Sequence, residues 1–206
     1  MPTPITHIFF ADKFCDIHPE IDKFPFFAGN SLPDIRYIDK SIERTKFHAC
    51  NLSINDVLWE ESDFWKGVKF HSFVDEKRDY FYEENGVYTP GTSDKVFIYS
   101  LKVLEDDILY SRLSIRQKFI EFFTAYKFPS DDINEETIKK WKGVLCNYLS
   151  LQPCTNSRRD FILWIGLTEE LHNQIESMLN ELNRKYSSKI ADMITFLENL
   201  IQGKAV

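Results

Sequence analysis

Apolar positions along this chain recur at the three-to-four-residue spacing that puts side chains on one face of a helix. Ile5, Ile8, Phe9, Ala11, Phe14 and Cys15 place a short helix over 5–18, closed by His18-Pro19. The stretch 24–50 holds Pro25, Gly29, Asn30 and Pro33 and reads mostly as loop with short helical turns. Helical patterning resumes at Ser53 with Ile54, Val57 and Leu58. Ser62 then caps a second helix carrying Phe64, Val68, His71, Phe73 and Val74 to about Glu84. ENGVYTPGTSD (84–94) is a loop by its Asn-Gly and Pro-Gly pairs, and Ser93 or Asp94 starts a helix to about Arg112.

Ser114 and Gln117 predict a capping box ahead of IRQKFIEFFTAYKF, and PSDDINEE is a loop and cap before a helix from Glu135 to about Leu151. QPCTNSRRD is polar and marks the best internal boundary. From Thr168 onward Leu171, Ile175, Met178, Leu182, Tyr186, Ile190, Met193, Leu197 and Leu200 define a long helical tail, with Ser187-Ser188 as the place where it would divide. The expectation is an all-α protein: a multi-helix domain over 1–151 with a metal site between helices, and a helical extension over 152–206. That extension either packs on the domain or associates, with 168–202 as a homodimer surface.

Composition agrees. Of 206 residues 43% are hydrophobic, 18 are Phe and only seven are Gly, which favours helices with aromatic filling between them. The formal charge is −7 and the basic residues are scattered, so duplex nucleic acid is not an expected partner. No apolar run reaches the roughly 18 residues of a membrane span. MPTPITHIFFADKFCDIHPE lacks the basic start of a signal peptide, and a cytoplasmic setting is expected. The four cysteines show no CxxC; reduced thiols are the default, with Cys146–Cys154 the pair that would form a disulfide.

The chemistry sits in GVKFHSFVDEKRDYF, where His71 and Asp75 are four residues apart and share a helix face. Flanked by Val68, Phe70, Phe73 and Val74, both face apolar surroundings, where each polar group needs a partner. One divalent cation satisfies both; so does a surface His–Asp hydrogen bond. Asp34 stands in FFAGNSLPDIRY and is a metal donor or a helix cap. His48 lies fourteen residues on, in RTKFHACN, and His7 lies beside the apolar face of the first helix.

Taken in order, THIFFADKF, AGNSLPDIRY, RTKFH and GVKFHSFVDEKRDYF resemble the all-helical zinc-dependent phospholipase C and phosphodiesterase-like hydrolases. A second similarity is to HD-like acyl-carrier-protein phosphodiesterases, through THIFF, GNSLPD and GVKFHSFVD. Together these cover residues 5–82. The resemblance implies that Asp34, His48, His71 and Asp75 bind one metal, and that Asp75 bridges to a second near His7. Two departures limit it: the chain begins MPTPIT without the N-terminal Trp ligand, and no His lies between His71 and His172. Asp79, Glu105, Asp106 and Asp107 are the acidic substitutes, with Asp106 as reserve ligand or base.

The expected cofactor is one or two divalent transition ions, Zn first, with Mn, Fe or Ni also suited to mixed N and O donors. Asp34 or Asp75 would orient or deprotonate water, and Arg36, Arg78 or Arg44 would hold phosphate charge. The expected activity is hydrolysis of a phosphate ester, by resemblance a phosphodiester, on a small molecule or lipid. The competing expectation is a metal-stabilised protein without catalysis that acts through its C-terminal helices.

Overall fold

The computed structural model describes residues 4–89, 94–129 and 133–204. Among these the chain is all helical, with nine α-helices, two 3-10 turns and no strand. Pro90, Gly91 and Ser93 of one expected loop, and 130–132 of the other, lie outside the described residues.

Helix α1 (Pro4–Ile17) is buried along most of its length and forms the centre of the molecule. Helix α2 (Lys23–Ser31) occupies the stretch read as loop. Its proline and glycine misled the reading for separate reasons. Pro25 sits in the first turn, where a missing N–H forfeits no intrahelical bond, and the Asp22 side chain caps the start by accepting from Phe24 N. Gly29 is required by a neighbour: a Cβ there would lie 1.8 Å from the Phe64 carbonyl oxygen of helix α4 (Asp63–Glu84). Across the contact a Cβ on Gly67 would lie 2.0 Å from the Phe26 oxygen. The two helices therefore touch backbone to backbone, and the glycines are a crossing point, not a break.

After α2 the chain makes 3-10 turns at Pro33–Tyr37 and Arg44–Lys46, then the short α3 (Ile54–Leu58), whose Ser53 and Asp56 form a capping box. Helix α5 (Lys95–Tyr110) starts at an Asp94 cap and packs on α1. Helix α6 (Arg116–Ala125) lacks the expected box: Ile115 precedes it without a side-chain cap, and the Gln117 amide turns to Glu121 at 2.9 Å. Helix α7 (Glu135–Ser150) closes over α2 through Trp141, whose indole N–H donates to the Ser31 carbonyl at 2.9 Å.

The polar QPCTNSRRD segment is the start of helix α8 (Thr155–Trp164), not a linker between separate units. Arg158 on α8 ties Asp107 of α5 to Glu176 of helix α9 (Glu169–Ile201), at 3.0 and 2.6 Å. Helix α9 runs 33 residues without a division at Ser187-Ser188. Ile175, Leu182, Ile190, Met193, Ile194 and Leu197 are buried on it, against α5, α4, α1 and α8. The apolar stripe of the tail is thus covered within the chain. All four cysteines are free thiols. Among the described residues no helix is long and apolar enough to cross a membrane.

Asp106, read as a reserve ligand or base, has a structural task. Its Oδ1 accepts from both the Thr6 N–H and the Thr6 hydroxyl at 3.0 Å, and so caps the start of α1 from a distance. Burial pushes its carboxyl up to about 8, against the opposing pull of the Thr6 donors. It has no place among the metal donors described below.

Two predictions follow from this packing. Gly67→Ala should cost about 3 kcal/mol or more, because the obstacle is backbone. Gly143→Ala, mid-helix in α7 with nothing within 4 Å of its Cβ, should instead add about 0.5–1 kcal/mol; urea unfolding of both variants checks the contrast. For Asp106 the folded carboxyl keeps its proton to about pH 8, while the unfolded one releases it near pH 4. The folded state then binds more protons across that window, so stability falls as pH rises through it, by at most about 1.4 kcal/mol per unit. Asp106→Asn should flatten this slope, read from guanidinium midpoints at pH 5 and pH 8.

Candidate metal centre

Four segments converge where α1, α2 and α4 meet. His7 comes from α1, Asp34 from the first 3-10 turn, His48 from the loop after the second, and His71 and Asp75 from successive turns of α4. The Gly29–Gly67 contact sets this meeting, because Asn30 follows one glycine and His71 lies one turn beyond the other. The Asn30 carbonyl accepts from His71 Nδ1 at 2.8 Å, and the Asn30 side-chain amide donates to the His7 carbonyl at 3.0 Å. The loop bearing His48 is tied to α4 by Ala49 N–H to Ser72 Oγ at 3.2 Å and Asn51 N–H to Glu76 at 2.6 Å.

The ring tautomers follow from these partners. A backbone carbonyl only accepts, so His71 Nδ1 carries the proton, and its Nε2 presents a lone pair. His48 is held the same way, with Nδ1 3.3 Å from the Arg44 carbonyl. Burial pulls the His71 ring down to about 3, helped by His7 and His48 and opposed by Asp34 and Asp75. Burial lowers His48 as well, with Asp34 and Asp75 opposing. Both rings are therefore neutral.

Their free nitrogens point at carboxylates. His71 Nε2 is 3.6 Å from Asp75 Oδ2 and 4.0 Å from Asp34 Oδ2, and His48 Nε2 is 4.0 Å from Asp75 Oδ2. These separations are too long for hydrogen bonds, and the groups are lone pairs facing anions. His71 Nε2 is buried without a hydrogen-bond partner. His7 stacks on His71, ring centroids 3.8 Å apart, and brings its Nε2 to 3.3 Å from the other Asp75 oxygen, Oδ1. Burial alone would raise Asp75, but Lys102 and the His7 and His71 rings outweigh it and hold the carboxyl well below the usual range.

Such an arrangement suits a cation. Donors around one Zn ion bonded at about 2.0–2.1 Å stand roughly 3.3 Å apart, so these separations need to contract by only tenths of an ångström. Two donor groups overlap here, His7–Asp34–His71 and His48–His71–Asp75. His71 belongs to both groups, and with its Nδ1 engaged by the Asn30 carbonyl its Nε2 is the donor it offers to each. The Nδ1–carbonyl bonds behind His71 and His48 are the outer contacts that fix a metal-binding imidazole.

Comparison with protein-family models, characterised proteins and solved structures gave no match. The reading of the site therefore rests on its own geometry.

A groove of about 200 Å³ lined by Phe47, Trp65 and Val68 reaches the cluster at His48. Two further cavities flank the cluster. One is a small buried space behind His7, Asn30 and His71, closed by Trp141 and Leu145. The other is a cleft of about 280 Å³ that opens the cluster to solvent and is lined by Asp34, Asp75, His48, Arg36, Arg44, Tyr37, Tyr99 and Lys102, among others. Arg36 is placed here as expected. It donates to the Tyr37 hydroxyl at 3.0 Å, and its buried Nε has no hydrogen-bond partner.

Arg78 is elsewhere. It is buried, gripping Glu105 through Nε and Nη2 at 2.7–3.0 Å and Asp79 through Nη1 at 2.5 Å. Tyr82 adds a hydroxyl to Glu105 at 2.9 Å. A guanidinium so engaged joins α4 to α5 and leaves the set of phosphate-holding candidates, as Glu105 leaves the set of ligands. Sequence reasoning missed Asn30 and Lys102. Asn30 was visible in AGNSLPD, but its work is done through a backbone carbonyl, which any residue possesses; nothing in a lone Lys marks Lys102.

Protein dialysed against excess Zn should retain one to two equivalents by elemental analysis, and His71→Ala or His48→Ala should lose at least one. Zn at 100 times its dissociation constant should raise wild-type stability by about 2.7 kcal/mol, and that gain should vanish in His71→Ala.

Proposed function

We propose that this protein is a metal-dependent hydrolase acting on a phosphate ester. The observation that carries the metal is the pair of neutral imidazoles whose Nε2 lone pairs face Asp34 and Asp75. The observation that supports a phosphate substrate is the cleft above them, where Arg36, Arg44, Lys95 and Lys102 gather in a chain of net charge −7. The phosphodiester preference comes from the family resemblance alone, and that is an associational warrant.

Asp34, His48, His71 and Asp75 would hold the ion, with His7 and Asp75 Oδ1 available to a second. A divalent ion so held supplies an acidified water and polarises a phosphoryl oxygen. Zn fits the donor set first, and Mn, Fe or Ni are also served by it. Asp34 faces both the cluster and the cleft, and its role is to orient the attacking water and take its proton. Asp75 turns one oxygen to His7 and the other to the His48–His71 pair. Arg36 meets the phosphate oxygens from the side of the 3-10 turn.

Turnover of bis(p-nitrophenyl) phosphate and p-nitrophenyl phosphate with added Zn or Mn tests the reading. His71→Ala and Asp75→Ala should each lower kcat by about a thousandfold or more with helical content unchanged, and Arg36→Met should mainly raise KM. Full activity in the first two variants would remove the metal from the mechanism. A folded, metal-loaded protein inert on both esters would favour the metal-stabilised interaction module.

A further inference from the structure

We propose that the cleft is built for a small, soluble phosphomonoester, a dianion, in preference to a phosphodiester or a phospholipid. This rests on the phosphate-ester reading above and narrows it against the direction of the family resemblance.

Charge makes the first argument. Arg36, Arg44, Lys95 and Lys102 line the cleft, and none of them forms an ion pair among the described residues. Three carboxylates share the lining, but each has other work. Asp34 and Asp75 balance a bound dication, and Asp79 is engaged by Arg78. Lys102 acts on Asp75; with a dication taking over that charge, it joins the other three cations in facing the ligand. Arg44 and Lys95 are exposed at the rim, where water and salt weaken them. Arg36 and Lys102 are half-buried, so their charge acts through less water. A diester brings one negative charge to this surplus. A monoester brings two, with three terminal oxygens to share between the ion and the basic side chains.

The walls make the second argument. Among the described residues Ile98 is the sole aliphatic side chain lining the cleft; the other apolar surface there is the rings of Tyr37, Tyr88 and Tyr99, each tipped with a hydroxyl. Phe24, Trp59 and Trp164, large and exposed, are not among its lining, while Trp65 lines a neighbouring groove with Phe47 and Val68 that meets the cleft at His48. Within the cleft itself an acyl chain would find little aliphatic surface. At about 280 Å³ the cleft suits a compact head with little beyond it.

Lys102 is the residue this assigns. It lines the cleft from α5, Arg36 lines it from the 3-10 turn, and the charge of Lys102 acts on Asp75. Sequence reasoning gave the phosphate-holding role to arginines alone.

The test uses the full chain loaded with Zn and a matched pair of probes, methyl phosphate and dimethyl phosphate, titrated at pH 8 by calorimetry. Methyl phosphate should bind at least tenfold more tightly. Lys102→Met should weaken it at least tenfold while the Zn content stays unchanged, a readout that a merely structural role would not separate. Equal affinity for the two probes, or affinity indifferent to Lys102, overturns the proposal. Turnover supplies the separation from the broader reading. Faster hydrolysis of bis(p-nitrophenyl) phosphate than of p-nitrophenyl phosphate, or hydrolysis of phosphatidylcholine vesicles, keeps a hydrolase and overturns the monoester. Selective binding of methyl phosphate with no turnover of any ester keeps the monoester site and overturns the hydrolase.

Discussion

The close crossing of α2 and α4 governs the rest of the structure. Two glycines let backbone meet backbone, and each bulges toward a carbonyl that a Cβ would strike. The consequence is positional. With α2 held that near, the Asn30 carbonyl reaches α4 and accepts a hydrogen bond from His71 Nδ1, while the Asn30 side-chain amide reaches α1 and donates to the His7 carbonyl. One residue thus orients the His71 imidazole and holds the backbone of His7 on a second helix.

Buried charge is expensive, and this protein meets the expense in three ways. Asp106 is kept protonated and spends its oxygen on the first turn of α1. Glu105 is matched by Arg78 and Tyr82 in a closed set that knits α4 to α5. Asp34 and Asp75 have neither solution. The group nearest Asp75 is His7 Nε2 at 3.3 Å, Lys102 adds positive charge from the cleft, and His71 and His48 turn bare Nε2 lone pairs toward the two carboxylates. Two of the three groups are matched within the protein; the third leaves lone pairs facing carboxylates, and the proposed metal site rests on that contrast.

Much of this was legible in the chain. Helices α4, α5, α7 and α9 follow their apolar periodicity closely, and the pairing of His71 with Asp75 follows from helical spacing. His7, Asp34 and His48 came from short segments, and the structure brings all three to that pair. What was lost has physical causes. Pro25 and Gly29 carry loop signals, yet one sits where its defect is harmless and the other where its missing side chain is needed. Ser114 and Gln117 have the right spacing for a cap, but the chain enters α6 one residue later. Arg78 and Asp106 have site chemistry, and only burial and partners show that they are structural. No sequence pattern distinguishes an arginine that holds substrate from one that holds a glutamate.

Donors and cleft differ in how firmly they are built. His7, His71 and Asp75 project from long helices locked in the core, so their separations are set by packing that tolerates little change. Arg36, Tyr37 and Arg44 belong to 3-10 turns, and Lys95, Tyr99 and Lys102 to the first half of α5, beside a loop. Side chains of this second kind can be exchanged without disturbing the first. A set of donors can therefore persist while the rim beside it is rewritten, and in this chain that rim is basic and, among the described residues, poor in aliphatic side chains.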